Sequence, residues 1–297
     1  MRALIIDNLA SGLKTGAIHD FNRILACDGD ELTIRSTDGT TRIDSLLEDA
    51  ADFDLVVASG GDSTIGEVAH KLRYTDIPIL PFPSGTANLL ATNINTPDEP
   101  SALARLARNL KTDYYDIGEM TYECEGRNCT QGFAVMAGTG FDAMIMQRAE
   151  KFKEPFGPLA YFAAAAFEPN PKVAEFQITL DDEVLSIEGI AVLLVNFAQI
   201  YPDLSIIHGN DAQDGLFEVV VIKIHHTLEL LPALVAAFLD SVGHFPDRAD
   251  AFELRHSVKV AVESSTPLGL QYDGETPHAT TPFEARILPG AARFIVA

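Results

Sequence analysis

The sequence predicts an α/β N-terminal domain followed by an α+β, β-sandwich-type C-terminal domain. Three observations carry this. Leu55-Val56-Val57-Ala58 is an apolar run ended by Gly60-Gly61, which reads as a strand buried on both faces and closed by a glycine turn. Strands and helices alternate up to about Leu110, the pattern of an α/β layer. From Tyr114 onward strands dominate. A length of 297 residues also favours two domains over one. The change of pattern places the boundary near Gly118, giving domains 1-118 and 119-297, with the last strand, Ala292 to Val296, free to return to the first domain.

In order, Ala3 to Ile6 reads as the first strand, and Asn8-Leu9-Ala10-Ser11-Gly12 as a turn rich in hydrogen-bonding side chains. A helix is expected over Gly16 to Ala26, a strand over Leu32 to Ser36, a polar turn over Thr37 to Thr41 and a helix over Ile43 to Ala50. After the glycine turn, Ile65, Val68, Ala69 and Leu72 fall at i, i+3, i+4 and i+7, one apolar helix face opened by Thr64. Ile77 to Pro83 is extended, and Ser84-Gly85-Thr86-Ala87-Asn88 is a second small-residue turn into a helix from about Leu89. Later strands are expected over Phe133 to Ala137, Ala174 to Leu180, Ile190 to Phe197, Leu216 to Ile224, Ser257 to Glu263 and Gly269 to Tyr272. Helices are expected over Asp142 to Lys153, Gly157 to Phe167 and Leu228 to Asp240.

The formal net charge of −22 argues against nonspecific nucleic-acid binding, which needs a positive field. Cys27, Cys124 and Cys129 have neither the number nor the spacing of a zinc site, and suit a reducing cytoplasm better than secretion. His225-His226 reads as a surface or structural pair near a strand end. The first apolar run is too short for a signal peptide, and none approaches the ~18–20 residues that span a bilayer. The expected location is cytoplasmic, with peripheral contact at a membrane left open.

Two small-residue turns after successive parallel strands share one sheet edge, where open α/β sheets bind ligands. Free N–H groups at a helix start suit phosphate, and Gly60 and Gly61 let the backbone approach it. The spacing matches neither GxGxxG nor the P-loop. Acids stand in three further turns: Asp62, Asp211-Ala212-Gln213-Asp214-Gly215-Leu216 and Asp273-Gly274-Glu275. An Asp-Gly pair is a common hairpin turn, and Asp214 among carbonyls also suits a hard cation.

These residues resemble a known family. Gly60-Gly61-Asp62-Ser63-Thr64 with Glu67-Val68 is similar to the GGDGTxxEV signature of diacylglycerol kinases and bacterial lipid kinases. Asn8 to Gly12 resembles the family's NPxSG turn, and Pro83 to Asn88 its PxGTxN segment. Asp116-Ile117-Gly118 resembles its DxG crossing, Gly138 to Ala143 its GxGFDA turn, and Asp214-Gly215 and Asp273-Gly274 its two later DG motifs. The order holds along nearly the whole chain. The superfamily also holds NAD kinases, and the long β-rich second half points to the lipid-kinase branch, with a Rossmann-like first domain.

The resemblance implies ATP-dependent transfer of the γ-phosphoryl group to a lipid hydroxyl. It implies nucleotide contacts from Asn8, Ser11, Gly12, Thr37, Gly60, Gly61, Asp62, Ser63, Thr64, Gly66, Glu67, Gly85, Thr86 and Asn88, and a base at Asp273 or Glu275. It also implies a structural magnesium at Asp214 with the carbonyls of Asp211 and Leu216, and a second magnesium with ATP. The implied partner is a lipid with a free hydroxyl, diacylglycerol-like; a homodimer stays open. Ser63 stands where the signature has glycine, and a positive φ there would cost serine ~1–2 kcal/mol. Leu89 and Thr92 replace an aspartate and an arginine of the pattern, and Leu9 replaces the early proline. Through Ser63 and Leu89 a non-catalytic nucleotide- or lipid-binding relative stays open, as does a NAD kinase-like enzyme. Phe156 to Phe167, with Met136, Met144 and Met146 before it, reads equally as an acyl groove lining or a packed core helix.

Overall fold

The computed structural model describes residues 1–12, 16–27, 29–39, 41–140, 171–201, 204–205, 207, 209–223 and 251–297. The first half runs β1 (Arg2–Asn8), α1 (Ala17–Leu25), β2 (Glu31–Thr37), α2 (Ile43–Leu46), β3 (Leu55–Gly60), α3 (Asp62–Lys71), β4 (Ile79–Pro83), α4 (Leu89–Asn93) and α5 (Pro100–Asn109). The strands lie parallel in the order β2-β1-β3-β4. Alternation along each strand feeds two cores. Leu4, Ile6, Val56 and Ala58 meet Ile65, Val68 and Ala69 of α3 on one face. Ala3, Ile5, Leu55 and Val57 meet Phe21 and Leu25 of α1 and Leu103 and Ala107 of α5 on the other. That is why Leu55 to Ala58 is apolar throughout: both faces of the strand are covered.

The second half runs β5 (Thr112–Cys124), β6 (Arg127–Phe133), β7 (Met136–Gly140), β8 (Ala174–Leu180), β9 (Glu183–Gly189), β10 (Ala191–Val195), β11 (Gln199–Tyr201), β12 (Leu204–Ser205), β13 (Phe217–Ile222), β14 (Phe252–Ser257), β15 (Lys259–Ser264), β16 (Leu270–Tyr272) and β17 (Phe283–Ile295). β5 runs straight through Gly118. β17 pairs antiparallel with β15 and β5, and near its end Phe294 lies opposite Ile79 of β4. One ten-stranded sheet therefore crosses both halves, and a five-stranded antiparallel sheet, β14-β13-β10-β7-β16, packs on its second part. Phe176, Ile178, Val260, Val262 and Ile287 from one sheet meet Val192, Leu194, Phe217, Val219 and Leu270 from the other. The α/β plus β-sandwich expectation agrees with this architecture.

Two elements differ from the sequence reading. The helix expected over Ile43 to Ala50 stops at Leu46, followed by a 3₁₀ turn over Ala50–Asp52. Arg35 donates to the Leu46 carbonyl at 2.7 Å and pairs with Asp49 at 2.5 and 2.6 Å, while the chain here closes i to i+3 bonds, from the Leu47 N–H to Asp44 and from the Ala50 N–H to Leu47. The strand expected over Phe133 to Ala137 is broken between β6 and β7, because the N–H groups of Ala134, Val135 and Met136 turn to the Asp273 carboxylate. The helices expected over Asp142 to Lys153, Gly157 to Phe167 and Leu228 to Asp240, with Met144, Met146 and His225-His226, lie outside the described residues.

Candidate active site

The carboxyl ends of β2, β1, β3 and β4 hold Thr37, Asn8, Gly60 and Pro83, and the turns that follow them meet at one sheet edge. Asn8 Nδ2 donates to Thr64 Oγ1 at 2.9 Å, and its Oδ1 accepts the Ala10 N–H at 3.0 Å. The Leu9 N–H reaches the Thr37 carbonyl at 2.7 Å, and Thr37 Oγ1 closes its own turn by bonding the Thr41 carbonyl. Gly12 has φ 61, and a side chain there would run into the Ser84 carbonyl. A Cβ on Gly85 would lie 2.5 Å from Gly61 Cα, and one on Gly61 would lie 3.6 Å from Ser11 Oγ. Asn88, at φ 51, fixes the second turn by accepting the Gly85 N–H at 2.8 Å and donating to the Gly85 carbonyl at 3.0 Å. Thr86 is exposed at the tip of this turn.

Asp62 opens α3, and both its oxygens accept backbone N–H groups, from Leu89 at 3.0 Å and Leu90 at 2.8 Å. It thereby caps α4, where a carboxylate offsets the positive end of the helix. Burial pushes its carboxyl upward against these two bonds. Ser63 is the second residue of α3 and is not among the positive-φ residues, so the strain that a left-handed serine would carry does not arise. Its hydroxyl donates to Glu275 Oε1 at 3.2 Å, joining the glycine turn to the last acidic turn. Glu67, half-buried one turn on, accepts the Ile43 N–H, and burial, with Asp44 beside it, raises its carboxyl.

Asp273 meets α3 directly. A Cβ on Gly66 would lie 2.6 Å from Asp273 Oδ2 and 3.0 Å from the Ala134 nitrogen, so only glycine lets the helix approach this closely. Asp273 itself has φ 44, and Gly274 has φ 85. The Asp273 carboxylate accepts N–H groups from Ala134 at 2.6 Å, Val135 at 2.8 Å and Met136 at 3.0 Å. Burial outweighs these bonds and, with the Asp62 charge, pushes the carboxyl up to about 7. The other end of α3 is pinned by His70 Nε2, 2.7 Å from Glu119 Oε2, while Arg286 holds Oε1 at 2.6 and 2.8 Å. Burial works to raise Glu119, but the two partners together hold it below its usual value.

Asp211, Asp214 and Leu216 stand at the turn before β13. They form a separate turn in which Asp211 Oδ1 accepts the Gln213 N–H at 3.1 Å and Asp214 Oδ1 the Leu216 N–H at 2.9 Å. Behind them lies buried Asp116, whose oxygens accept N–H groups of Gly215 at 2.7 Å and Gly290 at 2.6 Å. Burial raises the Asp116 carboxyl, and the charges of Asp214 and Asp211 add to the effect. An oxygen-only, like-charged set suits a hard cation. Among the described residues, however, no group of three or more His, Cys, Asp and Glu is arranged to hold a metal ion.

Sequence reasoning missed Asp7 and Ser59. Ser59 Oγ donates to Asp7 Oδ1 at 2.9 Å and lies 3.2 Å from Ser84 Oγ, a polar row across three strand ends. The signal was present: polar residues closing apolar parallel strands mark the ligand edge.

The family model for the diacylglycerol kinase catalytic domain matches residues 2–120, and that for the YegS C-terminal NAD kinase beta sandwich-like domain matches residues 135–296. The chain therefore belongs to the diacylglycerol kinase family of lipid kinases, in the form that carries a YegS-type second domain. It is 27% identical over 242 residues to an uncharacterised protein of Synechocystis sp., covering 79% of this chain but 53% of that protein, so it spans about half the length of this relative. It is 27% identical over 251 residues to a diacylglycerol kinase of Staphylococcus saprophyticus, covering 80% of this chain and 75% of that one. A crystal structure described as a putative diacylglycerol kinase from Bacillus anthracis superposes with a TM-score of 0.76 at 19% identity, over 100% of this chain and 97% of that chain, which shows the shared fold. Kinases of this family use a nucleotide. Among the described residues no helix is long and apolar enough to cross a membrane.

Proposed function

We propose that this chain is an ATP- and magnesium-dependent lipid kinase that transfers the γ-phosphoryl group to the hydroxyl of a diacylglycerol-like lipid. One observation carries the reading: a carboxylate pushed up to about 7, Asp273, rests on the Gly66 face of the helix that begins at the glycine turn. A base with that affinity for a proton is matched to work near neutral pH, and such a base supplies ~10²–10⁴ in rate. The lipid hydroxyl oxygen forms the new bond to the γ-phosphorus, the bond to the β-bridging oxygen breaks and ADP leaves. The hydroxyl proton passes to Asp273. Glu275, tied to Ser63, sits at the junction of the two turns and orients them. The backbone of the Gly60-Gly61 turn, with Asn8, Ser11, Gly12, Thr37, Thr64, Gly85, Thr86 and Asn88 around it, would receive the phosphates. Asp62 would set the distance between the two glycine turns through α4. Magnesium carried with ATP offsets phosphate charge. A second, structural ion would be held by Asp214 and the carbonyls of Asp211 and Leu216. The helical geometry of Ser63 supports activity, since it removes a source of strain.

The test is phosphate transfer from labelled ATP, with and without magnesium, to diacylglycerol, sphingoid, phosphatidylglycerol and NAD acceptors. Magnesium-dependent labelling of diacylglycerol is expected. Labelling of NAD alone, or no nucleotide-induced thermal shift, would overturn the reading.

A further inference from the structure

The backbone segment that receives the Asp273 carboxylate is itself held from behind. Asn196 follows β10 and is fully buried. Its Nδ2 donates to the Ala134 carbonyl and to the Asp116 carbonyl, each at 2.8 Å. Its backbone N–H donates to the Val135 carbonyl at 2.9 Å, and the Phe197 N–H reaches the same oxygen at 3.1 Å. The Ala134 and Val135 carbonyls each share a peptide plane with an N–H that meets Asp273. The first is joined to the Val135 N–H, 2.8 Å from Asp273 Oδ1, and the second to the Met136 N–H, 3.0 Å from the same oxygen. A hydrogen bond accepted by a peptide carbonyl polarises the N–H of that peptide and strengthens the bond it donates. Asn196 Oδ1 has no hydrogen-bond partner among the described residues. Two carbonyls can be met only by the N–H₂ end, so the amide is turned to use its donors.

We propose that Asn196 is a positioning residue for Asp273: it holds two consecutive peptide planes so that their N–H groups converge on one carboxylate oxygen. Its effect on turnover rests on reading Asp273 as the base. The pairing of β10 with β7 ends at Val195 and Met136, so that ladder does not fix Ala134 or Val135. The Asn196 side chain does so instead, by tying Ala134 to Asp116 of the long strand β5. With the amide removed, the Ala134 carbonyl loses this donor and the plane it shares with Val135 is less firmly held. Asp273 then keeps its burial but loses part of what favours its charged form, so its affinity for a proton rises. The titratable groups around Asp273 are Asp62 and Glu67 of α3, Tyr272 and Glu275 of its own turn, and Tyr122 of β5 behind Tyr272. The segment between β6 and β7 brings no titratable side chain of its own.

The experiment uses the full chain without lipid or nucleotide, with isotope-labelled aspartate and asparagine. NMR follows the Asp273 carboxyl carbon and the Asn196 side-chain amide through a pH titration, and Asp273→Asn assigns the carboxyl signal. Wild type is compared with Asn196→Leu, which keeps the size of the side chain and removes both donors, and with Leu194→Ala, which empties a core position on β10. The Asp273 midpoint is expected near 7 in wild type and about one pH unit higher in Asn196→Leu. Both variants lower the melting temperature, but Leu194→Ala leaves the midpoint within about 0.2 unit. In wild type the Asn196 amide signals move with the Asp273 midpoint, a result that needs no variant to fold. An unmoved midpoint in Asn196→Leu, or an equal shift in Leu194→Ala, overturns the proposal. So does a wild-type Asn196 amide that does not titrate with Asp273. The pH dependence of phosphate transfer separates the two readings. A shifted NMR midpoint with no matching limb in the rate retains the proposal and sinks Asp273 as the base. A rate limb near 7 with an unmoved NMR midpoint in Asn196→Leu does the reverse.

Discussion

Asp214-Gly215 and Asp273-Gly274 are the same dipeptide, and both glycines take a left-handed φ, 78 and 85. Their carboxylates end in opposite settings. Asp214 is exposed and caps its own turn through the Leu216 N–H, and the buried acid there is Asp116, behind it. Asp273 is itself left-handed and sends its carboxylate 138 positions back along the chain, to Val135 and its neighbours. The motif sets the bend of the chain; the partners across the fold set the chemistry. One turn is built to hold structure and suits a cation, the other holds a carboxylate ready to accept a proton near neutral pH.

The sharpest way to break this contrast is a pair of matched substitutions. Asp273→Asn is expected to lower turnover at least about a hundredfold with the fold intact, since it removes the base, and to cost some stability because one oxygen that accepts a backbone N–H becomes a donor. Asp214→Asn is expected to keep turnover within about threefold at saturating magnesium and to raise the magnesium concentration needed for half-activity, because one charge leaves an oxygen-ligand site. Steady-state rates across a magnesium titration check both. Equal losses in the two variants would erase the distinction between the turns.

A stability effect comes next. Asp116→Ala leaves the N–H groups of Gly215 and Gly290 without their acceptor, where β13 and β17 meet β5. The expected cost is about 2 kcal/mol, a fall in melting temperature of about 5 °C by calorimetry. No fall would mean that water replaces the carboxylate and that the second turn stands by itself. The smallest effect belongs to Ser63→Gly. Glycine in a helix costs up to about 1 kcal/mol relative to alanine, and serine already bears part of that, so a drop of about 1 °C is expected. The bond to Glu275 is also lost, so turnover is expected to change by less than about threefold. A large gain in rate would instead point to serine as an obstacle to nucleotide.

Much of the fold was legible because periodicity reports burial. Leu55 to Ala58 is apolar on both faces, and α3 shows one clean stripe. The glycine turns, the acidic turns and their order were legible as well. Three features were not, two of them because the partner lies far away in sequence. Ala134 and Val135 look like strand interior, yet their N–H groups belong to Asp273. Asp62 stands in the glycine turn, and both its oxygens hold the start of α4, 27 and 28 positions on. Gln271 sits where alternation suggests a solvent-facing strand position, but it is fully buried.

The central claim is that Asp273 takes the proton, and the pH dependence of kcat/KM for the lipid tests it most directly. An aspartate whose folded pKa is raised from 3.8 to about 7 is active only when deprotonated, so the rate should climb with pH to a plateau, with a midpoint near 7. Linkage gives an independent sign: the folded protein binds the proton more tightly than the unfolded chain, so this group's stabilisation is full below about pH 4 and is lost as pH rises through about 7. Asp273→Asn should abolish both the rising limb and this slope in stability. A variant that keeps the wild-type rate and the same limb would contradict the assignment.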